Sequence, residues 1–546
     1  MTCTIRSTAP AAAVFAAAAL AFGAPAAAQN AFHDLFATSD QCIACHSDVV
    51  DASGADIPIG YEWRASMMAN SARDPYWHAG VRRETMDHPQ AQAAIEDVCS
   101  TCHMPMARFA AHAAGEQGEV LSYVAALVSG APPASPRAHA LAVDGVSCTT
   151  CHQIRPDNFS DESSFDGGFL IDVSTPANAR AVYGKYAVDD GRVTLMHSAT
   201  GFSPTQSTTL QQSELCASCH TLFTQALDAA GAPAGVLPEQ MPYPEWLHSD
   251  YAGTASCQSC HMPAVAGEAP IASVLGQLRP NVSRHSFRGA NAFMLRILKD
   301  HAQKLGVIAP AAELEAAALA AERHLAEDTA ELSISAPRAA RGRLEFEVAV
   351  TSRAGHKLPT AYPSRRVWLH VTVRDGSGAV VFESGAPQAD GSIAGNDNDA
   401  DGARYEPHYV RIERADQVQI YEPIMVDAAG AVTTGLISGV RYIKDNRILP
   451  GGFDKTTAPE EVAVHGEALA DPDFVGGSDR VAYSVDAGRA AGPFTVEAEL
   501  LYQSIGYRWA QNLRAYDAPE PQRFLRYYEE QAERATKLVA RAEATR

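Results

Sequence analysis

The motif Cys-x-x-Cys-His occurs five times in this chain, at Cys42/Cys45/His46, Cys99/Cys102/His103, Cys148/Cys151/His152, Cys216/Cys219/His220 and Cys257/Cys260/His261. The copies use ten of the eleven cysteines, whereas ordinary residue usage gives one such match in roughly 10⁵ positions. Any fold open to this chain must therefore bring ten thiols and five imidazoles to useful places.

Three chemistries compete for the pattern. A thioredoxin-like redox pair needs one Cys-x-x-Cys and gains nothing from a histidine repeated behind five of them. Structural zinc closes a tetrahedron from two knuckles, so five knuckles leave one over. Covalent haem attachment uses every position: the two thiols add to the vinyl groups of a porphyrin, and the next residue places an imidazole on the iron. Five haem c groups are expected, with His46, His103, His152, His220 and His261 as iron ligands.

The N-terminus fits that chemistry. The stretch M-T-C-T-I-R-S-T-A-P, an apolar run from Ala11 to about Ala24 and then A-P-A-A-A-Q-N read as a secretory signal over residues 1–28, cleaved after Ala28 and taking Cys3 with it. The run falls short of the ~18 residues a membrane span needs, and no later stretch reaches that length. A periplasmic or secreted chain without a transmembrane segment is expected. The formal charge of −21 argues against a nucleic-acid partner and for docking onto a basic patch of another redox protein.

All five motifs lie before residue 262, so the 546 residues divide unevenly and exceed one core. From 29 to 325 short turns dominate, which suits a mainly α and irregular domain whose core is porphyrin. Helices are expected near residue 125, over A-N-A-F-M-L-R-I-L-K-D-H-A-Q-K-L-G-V and over A-A-E-L-E-A-A-A-L-A-A-E-R-H-L-A. From 326 to 510 the pattern alternates, at 343–350, 367–373, 379–384, near 420 and near 498, and predicts a β-sandwich. Residues 511–546 predict an amphipathic helix with Phe524, Leu525, Tyr528, Ala532, Ala535, Leu538 and Val539 on its apolar side, docked back onto the protein.

The five sites, the phrases G-V-S-C-T-T-C-H-Q-I and C-Q-S-C-H-M-P, and the segment H-S-F-R-G-A-N-A-F together resemble periplasmic multihaem c-type cytochromes. The resemblance implies haem packing similar to that of hydroxylamine oxidoreductase and pentahaem nitrite reductase. A C-terminal β-domain signature, G-H-K-x-P-T, is matched by G-H-K-L-P-T at 355–360. The common pentahaem nitrite reductases carry lysine in their catalytic motif, and no C-x-x-C-K occurs here.

An electron-transfer haem takes a sixth ligand, usually histidine or methionine. Among the remaining histidines of the first half, His285 leads because it lies in the family-like H-S-F-R-G-A-N segment. His197 and His139 follow, each in a stretch read as irregular shortly before a motif, and then His78, His112 and His33. His88, His248 and His301 complete the supply. Met67 and Met68 are read as packing against a porphyrin, and Met104 and Met262 as lids. For His356, packing at a domain interface is favoured over reaching a haem. A separate metal reading attaches to G-N-D-N-D-A-D-G-A: Asp397, Asp399, Asp401 and Gly402 match the first half of an EF-hand calcium loop, with His408 in place of the final glutamate. A plain acidic turn is the alternative.

These readings favour a pentahaem carrier moving electrons between redox partners, such as another cytochrome or a membrane quinol-oxidising complex. The alternative is an oxidoreductase with one open haem acting on a small nitrogen or sulfur compound, drawn in by Arg64, Arg73, Arg82 or Arg83. The β-domain is also a candidate assembly module.

Overall fold

A computed structural model describes residues 35–546 apart from 52 and 177. The expected signal segment, Cys3 and His33 lie outside the described residues.

The first half is built from short helices: α1 (Pro75–Asp87), α2 (Gln92–His103), α3 (Pro105–Ala113), α4 (Val120–Ser129) and α5 (Pro136–Val143). Helix α1 starts where the Asp74 carboxylate accepts from the Tyr76 and Trp77 amides and Pro75 occupies the first turn. Ser135 caps α5 in the same way. Gly130 ends α4 at φ 72°, a left-handed conformation that glycine adopts without a side-chain penalty. Helix α6 (Asp190–Thr200) was not expected, and its mixed polar sequence buries no residue fully. Helix α7 (Pro242–Leu247) separates the fourth and fifth motifs, and α8 (Ala292–Asp300) and α9 (Ala311–Asp328) close this half.

Beyond α9 the chain forms strands β1 (Ala330–Ile334), β2 (Arg343–Ser352), β3 (Arg366–Arg374), β4 (Val380–Ser384), β5 (Ser478–Asp486), β6 (Thr495–Gln503) and β7 (Lys537–Thr545). One five-stranded sheet runs β4-β3-β6-β7, with Ile420–Tyr421 also paired to β3. The other runs from Arg411–Ile412 through β5 and β2 to β1, with Arg338–Ala340 paired to β2. Alternate residues of both sheets enter one core: Phe346 and Val348, Leu369 and Val371, Val481 and Tyr483, Ala498 and Leu500. Their period of two puts apolar side chains on the shared face of each strand. Met241 and Leu325, from the first half, enter the same core.

The C-terminal expectation needs correction. Helix α10 (Pro519–Glu529) stops short, and residues 537–545 form the edge strand β7 instead of continuing the helix. In L-V-A-R-A-E-A-T the residues Arg541, Glu543 and Thr545 are exposed and alternate with half-buried alanines, while Val539 is buried. That alternation suits a strand. Pairing with β6 also completes the sheet through eight residue pairs, and Arg541 reaches Glu499 across it at 3.1 Å. Helix α10 packs along α1, and its Phe524, Tyr527 and Tyr528 share an apolar cluster with Phe293, Ile297 and Leu298 of α8, where Tyr528 meets Phe293 edge-on. No described helix is long and apolar enough to cross a membrane.

Candidate functional site

The ten motif cysteines and five motif histidines all line one continuous cavity of about 2280 Å³. An ordinary small-ligand pocket holds roughly 300–1,000 Å³. Cys99–His103 ends α2, while Cys148–Cys151 and Cys257–His261 are single helical turns. Residues three apart share a helical face, so each pair of thiols is presented together.

Thiols of different motifs also meet. The Cys42 and Cys148 thiols lie beside one another, as do those of Cys102 and Cys219 and those of Cys216 and Cys257. Cys151 lies within electrostatic range of both Cys216 and Cys219. The motifs are thus ordered first to third to fourth, with the second and fifth both joined to the fourth. None of the ten is in a disulfide, and burial pushes the Cys151 thiol up to about 11.

Four motif imidazoles are oriented by a backbone carbonyl. Nδ1 of His46 donates to Ile271 at 2.6 Å, that of His103 to Ser71 at 3.1 Å and that of His152 to Tyr183 at 2.6 Å. Nδ1 of His261 donates to Arg288. A carbonyl only accepts, so each ring carries its proton on Nδ1 and leaves Nε2 for a metal. The cavity, the paired thiols and these tautomers fit covalently bound haem c.

Metal–imidazole bonds of about 2 Å place the ring centres of two axial histidines roughly 6 Å apart. His285 faces His152 at 6.4 Å with planes 12° apart, and its Nδ1 donates to the Ser283 carbonyl at 3.1 Å. His356 faces His261 at 6.2 Å and 12°. Among the described residues no second imidazole is set this way across from His46, His103 or His220. Trp77 instead lies flat against His103 at 4.3 Å.

The other sequence candidates are placed elsewhere. His139 and His197 sit on helices α5 and α6 instead of irregular chain, and neither lines the cavity. Nδ1 of His139 donates to the Tyr123 carbonyl at 2.6 Å, and Nε2 of His197 donates to that of Asn178. His78 has both nitrogens engaged: Nε2 donates to Ala72 at 2.8 Å, and Nδ1 accepts from Arg523 at 2.7 Å. Burial holds its pKa down at about 3, so the ring is neutral. His112 is paired with Asp97, His88 with Ser438 and His301 with Glu530, and His248 packs on Phe453. Met67, Met68 and Met262 line the cavity, whereas Met104 is buried in an apolar cluster beside it.

With the geometry in place, comparison with known proteins adds one finding. No family model matches the chain, and no curated protein matches it in sequence. Among solved structures it is similar to a penta-heme cytochrome c552 from Thermochromatium tepidum, with 16% identity and a TM-score of 0.51 over 94% of this chain and 100% of that one. The fold is that of a multihaem cytochrome c.

Two charged features differ from expectation. Arg64, Arg73, Arg82 and Arg83 do not line the cavity: Arg64 binds Glu313, Arg73 the Gly306 carbonyl, Arg82 Glu520 and Arg83 Thr434. Arg192, Arg279, Arg284, Arg288, Arg353 and Arg365 line it instead. Calcium at Asp397, Asp399 and Asp401 finds no support, because each carboxylate is engaged separately. Asp399 chelates Arg366 at 2.7 and 3.0 Å, Asp397 pairs with Arg404, and Asp401 caps the Ala403 amide.

A buried trio of His408, Asp471 and Asp479 brings potential metal-binding atoms within 4.8 Å of one another. Its hydrogen bonds specify the wrong tautomer for Nε2 ligation. The Gln419 and Asn446 amides both donate to Nδ1, at 2.9 and 3.1 Å, so the proton sits on Nε2 and goes to Asp471 at 2.9 Å.

Acidic and phenolic groups beside the second motif had no sequence signal, since three segments far apart in the chain supply them: α1, the strand Pro233–Gln240 and the loop at Tyr362. Tyr76, Glu84, Glu239 and Tyr362 all line the cavity, and Glu84 and Glu239 act electrostatically on Cys99. Burial pushes the Glu239 carboxyl up to about 7 and raises both phenols.

Proposed function

We propose that this chain is an exported pentahaem c-type cytochrome that passes electrons between redox proteins. The observation that carries the reading is the convergence of all ten motif cysteines and five motif histidines on one cavity, with thiols of different motifs in contact. Bound haem supplies reversible one-electron iron chemistry. The chain's own residues do the rest. Cysteine pairs would hold each group by two thioethers, the carbonyl-bonded imidazoles of His46, His103, His152 and His261 would offer it Nε2, and His285, facing His152, would supply a second imidazole at the third site. The net charge of −21 suits a basic docking partner, and a leader at 1–28 delivers the chain to the periplasm, where such attachment takes place.

A reductive titration tests this: five electrons per chain, all returned to an acceptor protein, is the expected result. Fewer than five would contradict it. Replacing His285 by alanine is expected to convert one low-spin ferric haem to high-spin while all five stay attached.

A second reading is favoured by one specific observation. His46, His103 and His220 face no described imidazole, and Tyr76, Tyr362, Glu84 and Glu239 offer protons beside the second motif. In that reading one open haem acts on a small nitrogen or sulfur compound. High-spin ferric signal in the unmodified protein, shifted by an added small anion, supports it; a wholly low-spin spectrum removes it.

A further inference from the structure

The loop G-H-K-L-P-T at 355–360 belongs to the strand-rich half but is buried against the first half. Gly355 packs on the Tyr251 and Trp246 rings, and the Tyr251 hydroxyl donates to the Arg353 carbonyl at 2.8 Å. His356 lines the cavity. Its Nδ1 donates to the Lys357 carbonyl at 2.9 Å, leaving Nε2 for a metal, and its ring lies 6.2 Å from that of His261. The Nδ1 of His261 is spent in turn on the Arg288 carbonyl.

The residue after the histidine explains how the loop is held. Lys357 is 0% exposed, an expensive position for an ammonium unless it is paired. Its Nζ donates to Asp445 at 2.7 Å and to the Ala463 carbonyl at 3.1 Å, and Asp445 in turn chelates Arg447 at 2.8 and 2.7 Å. Arg447 meets Glu245 of α7 at 2.9 Å. Glu245 then returns to the loop, accepting from the Lys357 amide at 3.1 Å and from the Thr360 hydroxyl. Two cations and two anions cancel in charge. The circuit ties the loop to the helix lying between the fourth and fifth motifs, and a pair of 2.9 Å backbone bonds between Leu358 and Ile448 adds to it.

We infer that His356 is the distal iron ligand of the fifth haem, supplied across the boundary between the two halves, and that the Lys357–Asp445–Arg447–Glu245 circuit positions it. The inference rests on the pentahaem reading above. One other imidazole competes: His324 of α9 lies 5.9 Å from His261. Its Nδ1 is bonded to the exposed Asp328 carboxylate at 2.9 Å, whereas Nδ1 of His356 is held by a backbone carbonyl and the next residue, Lys357, is anchored in the buried circuit. One iron accepts one ligand on that side.

The test uses the full, haem-loaded chain and its His356→Ala and His324→Ala variants, compared by intact mass and by low-temperature EPR of the ferric state. For His356→Ala we expect five haems still attached and the high-spin signal to rise by one haem equivalent over the parent. Added imidazole should reverse that rise. His324→Ala should match the parent. Glu245→Gln, which leaves the ligand in place but weakens its positioning, should give a smaller rise that imidazole also reverses. An unchanged spectrum in His356→Ala, or the full rise in His324→Ala instead, overturns the inference. Fewer than five haems in the parent would overturn the underlying reading.

Discussion

The two halves of this protein solve the same problem, how to build an interior, in opposite ways. In the second half the sheets fill the interior with the chain's own side chains: Phe346, Val348, Leu369, Val371, Val481 and Leu500 interdigitate in one apolar core. In the first half the apolar residues form separate smaller clusters, around Leu141 and Met106 or around Val49 and Ile57, and the motifs surround a cavity of about 2280 Å³. A half whose core is its own side chains is stable through packing. A half built around a cavity depends on what occupies it, and its short helices are scaffolding for thiols and imidazoles. The difference also explains why Met241 and Leu325 cross into the sheet core: the filled half lends packing to the hollow one.

Breaking the hollow half should have the largest effect. Replacing Cys148 and Cys151 together by serine removes attachment at the motif that lies beside the first and within electrostatic range of the fourth. We expect the haem count by intact mass to fall from five to four or fewer. Helical circular dichroism should melt at lower temperature, while the sheet signal persists above that transition.

Next in size is the buried circuit that joins the halves. Asp445→Asn leaves Lys357 and Arg447 without their shared partner and is expected to cost about 3–5 kcal/mol in denaturant unfolding. The pH dependence has a defined sign. Lys357 and Arg447 overcome burial and hold the Asp445 carboxyl below its ordinary value of 3.8. Its contribution is therefore full above that value and is lost as pH falls through the lower folded value. The variant's stability should fall less steeply with acidification below pH 4 than the parent's.

The filled half supplies the control. Leu369→Ala opens a cavity between the sheets and should cost about 2–5 kcal/mol, with haem content and EPR spectrum unchanged. A loss of haem in this variant would mean that the two interiors are not separable.

How much was legible before the structure follows from the physics of each signal. The motifs read directly because attachment chemistry dictates a rigid local spacing, and the strands over 343–350 and 367–373 read because a half-buried sheet imposes a period of two. Residues 537–545 misled because small residues and alternating charge suit a helix face or an edge strand equally well; pairing with β6 decided it. The acidic loop at 397–401 matched a calcium pattern, but Arg366 and Arg404, from other turns of chain, claim two of its carboxylates. Distal positions were the least legible. Whether His285 or His356 faces a motif histidine depends on segments far apart in sequence, and nothing in G-H-K-L-P-T alone distinguishes a ligand from an interface residue until Lys357, Asp445, Arg447 and Glu245 are seen closing around it.

Intact mass spectrometry of the denatured, purified protein tests the hollow half most directly, because only covalently bound groups survive denaturation. We expect a single species carrying five haem masses on a chain that begins at Gln29. A species carrying none, or zinc recovered in stoichiometric amount in place of haem, would contradict the reading that these cysteines and histidines form a cavity for five haems.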